Sequence, residues 1–186
     1  MPTVMTHAVV GIAAGTVFAA SRRPAARSRR WPPPRFWIAS AVLPVLPDLD
    51  VLGLVFGIPF HSMWGHRGIS HSLAAALALG VIAAALTNRA CVIRMVPLAL
   101  YFAVVAASHG VLDALTNGGP GVAFFAPFDG TRYFFPWRPV PVSPLAANFF
   151  SEWGWRVFRA ELVMVWLPAA VIAAVALVSR RGRARP

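Results

Sequence analysis

The sequence predicts an all-α integral membrane protein of about five transmembrane helices, one of them broken at Pro44 and Pro47, beneath a Pro- and aromatic-rich extracytoplasmic cap. Three observations carry this prediction. Of 186 residues, 58% are apolar and 12% charged, far from the composition of soluble domains. Five apolar runs approach the roughly 20 residues that span a bilayer. The 17 basic residues, all arginine, gather mostly in three segments that a five-span topology places on one side.

The elements follow in order along a single membrane-embedded domain, residues 1–186. Span one, about 4–20, is apolar and short, suited to a helix that ends at an interface. Span two, about 36–57, contains Pro44 and Pro47. Proline removes a backbone donor and pushes its predecessor out of helical geometry. The span therefore reads as a broken helix, with Asp48 placed to cap its second half. Broken helices at membrane depth are tolerated where they line a polar cavity. Span three, about 71–87, has Ser70 and Ser72 available as caps. Span four, about 92–113, ends in His109-x-x-x-Asp113, whose side chains share a helix face. Residues 114–159 hold too many Phe and Trp for a disordered linker and suit a rigid cap with its rings at headgroup level. Within it, 147–159 suits an amphipathic interfacial helix leading into span five, about 160–178.

Arginine placement sets the orientation. Arg22, Arg23, Arg27, Arg29, Arg30 and Arg35 lie in the 21–35 loop, Arg89 and Arg94 between spans three and four, and Arg180, Arg181, Arg183 and Arg185 in the tail. The positive-inside tendency makes that side cytoplasmic, so the expected location is the bacterial cytoplasmic (inner) membrane. The net charge of +11 is then explained by orientation and anionic lipid, and no nucleic-acid partner is expected. No basic region precedes the first apolar run, the wrong order for a cleaved signal peptide. The single cysteine, Cys91, excludes an intrachain disulfide and a cysteine-rich metal site.

Orientation also sorts the polar residues by depth. Counted from the cytoplasmic ends of their spans, Asp48 and Asp50 stand roughly 18–21 Å up, and His109 and Asp113 roughly 25–32 Å, at 1.5 Å per residue. Spans one and three start outside, near His7 and His71. Four segments thus deliver His or Asp to one outer layer. Ionisable residues at membrane depth are expensive and mark functional sites, and His with Asp is a ligand set for zinc and similar ions. Each piece has a plainer reading: a capping Asp113, a satisfied buried His109, a turn with two solvated acids at Asp48 and Asp50. Their convergence favours a metal site. His61, in an interfacial-looking segment, is the weakest candidate and reads as an interface residue. Arg67, between two candidate ligands, reads either as a rim ion pair or as a clamp for an anionic oxygen.

The ordered blocks Thr6-His7, Leu46-Pro47-Asp48-Leu49-Asp50, His66-Arg67-Gly68-x-Ser70-His71-Ser72, Ser108-His109-x-x-x-Asp113-x-x-Thr116-x-Gly118 and Pro127-Phe128 resemble the membrane-bound metal-dependent hydrolases. That family is also labelled LexA-binding, inner-membrane-associated hydrolases, of the YdjM/YbcI type. The likeness spans residues 5 to about 130, and its specific part is the order of the blocks. By position it implies His7, Asp48, Asp50, His66, His71, His109 and Asp113 as the polar site. Ser70 stands where the family often has Thr.

The expectation is a metal-dependent hydrolase with its site near the outer face. Its metal ligands are those seven residues, and Asp48, Asp50 and Arg67 are its catalytic candidates. The ion expected is zinc or a similar divalent metal, with ligands enough for two. Membrane lipids are the expected partners, and the favoured substrate is a phosphoester of a lipid or lipid-linked molecule, with Arg67, Arg132 or Arg138 available to hold the phosphate. Two other classes compete: a metal or ion transporter, which would want polar residues continuing to the cytoplasmic side, and a non-catalytic membrane interaction protein.

Overall fold

The structure, a computed structural model, describes residues 1–22, 31–91, 93–144 and 149–183. Arg23, Arg27, Arg29 and Arg30 of the arginine cluster, Arg185, and the first residues of the expected amphipathic helix lie outside the described residues. Among the described residues all regular structure is helical, joined by two isolated β-bridges. The order is α1 (Val4–Ser21), α2 (Pro34–Val42) continuing into a 3₁₀ segment (Leu43–Phe56), a 3₁₀ turn (Ile69–His71), α3 (Leu73–Cys91), α4 (Met95–Ala114), α5 (Glu152–Glu161), a π segment (Leu162–Trp166) and α6 (Leu167–Arg183). Val4–Ser21, Pro34–Phe56, Met95–Ala114 and Glu152–Gly182 are long and apolar enough to cross a membrane, and Leu73–Asn88 is a shorter apolar helix. The five expected spans are therefore present as an all-α membrane protein.

Small residues let these helices approach, as membrane helices require in the absence of a strong hydrophobic drive. A Cβ at Gly80 of α3 would stand 2.7 Å from the Cα of Ala103 in α4. A Cβ at Gly15 of α1 would meet the Trp37 ring and the Tyr101 hydroxyl at 3.1 Å. A buried core joins α2, α3 and α4. There Phe36, Leu98, Phe102 and Val105 are fully buried, Phe36 stacks on Tyr101 at 5.1 Å, and Ser40 and Tyr101 share a hydrogen bond of 2.7 Å. This core lies towards the arginine-bearing end. At the same end, Arg180 of α6 stands 4.3 Å over the Trp31 ring, so the tail helix ends beside the start of α2.

Span two corrects one expectation. The prolines do not open a gap with Asp48 as a cap. The helix changes winding from α to 3₁₀ at Leu43 and continues to Phe56, with Asp48 inside it and its carboxylate on no backbone donor. At the start of α3 the expected cap is present: the Ser72 hydroxyl accepts from the Ala75 N–H at 3.1 Å. The cap over the other end is ordered and built on backbone pairing. Ala123 N–H donates to the Arg67 carbonyl and Leu73 N–H to the Phe124 carbonyl, while Val122, Ala123, Ala126 and Val140 are buried beneath it.

Candidate metal centre

The 3₁₀ winding of Leu43–Phe56 builds the site. In a 3₁₀ helix the donor to the carbonyl of residue 44 would be the N–H of residue 47, but residue 47 is proline and has none. The Pro44 carbonyl thus lacks its 3₁₀ donor, and His109 Nδ1 lies 2.7 Å from it. The same winding separates the acids. At three residues per turn, side chains two apart diverge by roughly 120°. Asp48 turns to His71 and His109, and Asp50 to His66, Ser70 and the Arg67 N–H.

All seven expected site residues meet at this end of the molecule. His71 Nε2 and His109 Nε2 are 2.9 Å apart. Asp48 Oδ1 is 3.7 Å from the first and 3.4 Å from the second, and Asp113 Oδ2 is 3.7 Å and 3.9 Å from them. His7 stacks on His109 with ring centroids 4.0 Å apart, and its Nε2 is 3.8 Å from Asp113 Oδ1. A second group, Asp50, His66 and His71, shares the His71 ring with the first. Its members are joined by hydrogen bonds: His66 Nδ1 to Asp50 Oδ1 at 2.8 Å and Ser70 Oγ to Asp50 Oδ2 at 2.5 Å.

The two groups differ in what their polar atoms lack. Both carboxylate oxygens of Asp48 and both ring nitrogens of His7 are buried without a hydrogen-bond partner, and the Asp113 carboxylate has only its ion pair with Arg67. Buried polar atoms left unpaired are costly, so this cluster implies something that satisfies them. The donor set and its spacing fit a cation. Metal–ligand distances of about 2.0–2.2 Å give tetrahedral ligand–ligand edges of roughly 3.3–3.6 Å, and the separations here bracket that. Both imidazoles are also set up as ligands through Nε2. His109 Nδ1 faces the Pro44 carbonyl, and His71 Nδ1 lies 3.2 Å from Asp50 Oδ2, the arrangement that orients metal-binding histidines.

Arg67 faces inward. It adopts φ +62°, in the left-handed region, and is 1% exposed. Its Nε lies 2.7 Å from Asp113 Oδ2, its Nη1 donates to the Gly118 carbonyl at 2.9 Å and its Nη2 to Thr116 Oγ1 at 3.2 Å. Gly119 makes room for it: at φ +87° a Cβ there would stand 2.7 Å from Arg67 Nη1. Arg132 is committed too. Its guanidinium donates to the carbonyls of His61, Ser62, His66 and Gly121, and burial, then the charge of Arg67, hold it below the usual arginine range. Arg138 lies 5.0 Å over the Phe134 ring. His61 is exposed, pairs edge-on with Phe60 and belongs to neither group.

Sequence reasoning missed Glu161. It is fully buried at the junction of α5 and the π segment. Its carboxylate accepts from Thr3 N–H at 2.7 Å, Thr3 Oγ1 at 2.5 Å and Thr6 Oγ1 at 2.6 Å, and Trp166 Nε1 donates to Thr6 Oγ1 at 2.6 Å. This knot fixes the start of α1, and with it His7, against the last span. The only signal in the sequence was an acid at the edge of the last apolar run.

Comparison with known proteins agrees with this architecture. Residues 1–183 match the model of a family described as YdjM inner membrane protein. The chain is 34% identical over 173 residues to Inner membrane protein YbcI of Escherichia coli (strain K12), covering 92% of this chain and 95% of that one. No solved structure matches.

Proposed function

The chain belongs to the YdjM inner membrane protein family, and from that premise we propose that it is a membrane-embedded, metal-dependent hydrolase. Its centre would lie near the outer membrane face and cleave a phosphoester of a lipid or lipid-linked substrate. One observation carries the reading: His71, His109, Asp48 and Asp113 converge in a buried site where Asp48 has no hydrogen-bond partner and Asp113 has only the Arg67 ion pair.

A divalent ion held by those four residues, zinc being the best match to the donors, would supply Lewis-acid polarisation of a phosphoryl oxygen and activation of water. The chain's own residues then divide the work. Asp50 orients His71, and the Pro44 carbonyl orients His109. Arg67 is a positioning residue that holds Asp113 and ties it to the cap. Asp48, the least buried of the four, would take a proton from the attacking water. His7 faces Asp113 from the far side and is the candidate for a fifth ligand or a contact to the substrate oxygen. The hydrogen bonds that fill Asp50 favour one ion here, with Asp50 and His66 as supports.

The test is phosphate release by zinc-loaded protein reconstituted with a panel of phospholipids. Release that a chelator abolishes, and that His109→Ala lacks, is the expected result. Metal-loaded protein that releases neither phosphate nor headgroup from any lipid would shift the reading to binding or transport.

A further inference from the structure

A groove of about 650 Å³ opens at membrane depth between α1, α4 and α6, within the size range of ligand sites. Its walls include Val10, Ala13 and Val17 of α1, Leu100 and Val104 of α4, and Ile172 of α6. Leu100, Val104 and Ile172 are more than half exposed, so the groove is open sideways to whatever surrounds the helices. Its two polar side chains are already satisfied, Tyr101 by Ser40 and Ser21 by the Phe18 carbonyl. Nothing in it asks for a polar ligand.

Its position gives it a purpose. Val10 is three residues from His7, and Val105, also in the lining, is four from His109. At helical spacing these are same-face neighbours one turn away. The groove therefore ends directly beneath the stacked His7–His109 pair. From Val10 to Ser21 it follows α1 for roughly 16 Å at 1.5 Å per residue, more than half of a roughly 30 Å hydrocarbon core. That length suits a fatty acyl chain.

We propose that this groove binds one acyl chain of a phosphate-bearing glycerolipid, whose phosphate then reaches His7 and the metal centre. The inference rests on the hydrolase reading for its chemistry, but the binding site can be tested apart from it. Nanodiscs of a phosphate-free glycolipid would carry a phosphatidic acid with a photoreactive diazirine in its acyl chain or, in parallel, a diacylglycerol with the same group. After illumination, the phosphatidic acid probe should label Val17, Leu100 and Val104 over the lipid-facing Val81 and Leu86 of α3 by roughly tenfold, the factor that 1.4 kcal/mol gives. The diacylglycerol should label both faces alike. Ala13→Trp and Leu100→Trp, which fill the groove, should each remove the preference while retaining metal. Leu100 faces outward, so that variant keeps the test open if Ala13→Trp does not fold. Uniform labelling by phosphatidic acid, or a preference that survives both folded variants, would overturn the proposal. Phosphate release from unlabelled phosphatidic acid in the same discs separates the two ideas. Selective labelling without release keeps the chain site and removes hydrolysis; release with uniform labelling does the reverse.

Discussion

His71 and His109 show how a single ring can carry two assignments. One nitrogen of each faces a fixed acceptor, Asp50 or the Pro44 carbonyl, and the other faces its counterpart across 2.9 Å. Asp50→Asn should therefore weaken metal binding by about 10–100-fold, the usual effect of losing such a support. Competition against a chromophoric chelator measures it, and unchanged affinity would deny Asp50 that role. Arg67→Ala would leave Asp113 as an unpaired buried charge and should destabilise the protein by about 3–5 kcal/mol. Arg67→Lys should restore little, because one ammonium cannot serve Asp113, Gly118 and Thr116 in the planar fork that guanidinium offers. Thermal unfolding in detergent reads both variants. The identity of the site residues was legible because His and Asp are expensive at membrane depth. The inward commitment of Arg67 was not, since its partners at Thr116 and Gly118 lie some fifty positions away and only the folded cap brings them near.

Among the elements, the 3₁₀ segment Leu43–Phe56 carries most of the consequence. Its prolines were legible as an interruption, but which interruption was not. Proline forbids one backbone bond and leaves the chain free to rewind or to break, and contacts with α4 decide between them. Pro47→Ala supplies the missing N–H at residue 47, which would compete with His109 for the Pro44 carbonyl. The expected outcome is weaker metal binding with stability held or raised, a combination that loss of packing would not produce. Glu161 belongs to this scale too, because it ties α1 to the last span. Glu161→Ala leaves the Thr3 N–H and the Thr6 hydroxyl without an acceptor, at about 1–3 kcal/mol for each group left buried and unpaired. A melting temperature equal to that of the unaltered protein would show that the knot is not structural.

For the whole molecule, five apolar segments and the clustering of arginines between them were legible in the sequence, because span length and loop charge depend on the bilayer more than on packing. The meeting of seven polar residues at one end required the fold, since it joins α1, the 3₁₀ segment, the 66–71 loop and α4. The orientation proposed here puts the 21–35 loop and the tail in the cytoplasm, and Arg180 against Trp31 already sets their two ends side by side. Reporters placed at Arg27 and after Arg183 should both read cytoplasm, and a split result would remove the outer-face location of the site. The central claim is the metal centre itself, and elemental analysis of the protein purified without chelator tests it most directly. About one first-row divalent ion per chain is expected, lost in His71→Ala, His109→Ala and Asp113→Asn but kept in His61→Ala. Metal-free wild-type protein, or full occupancy in all three site variants, would contradict it.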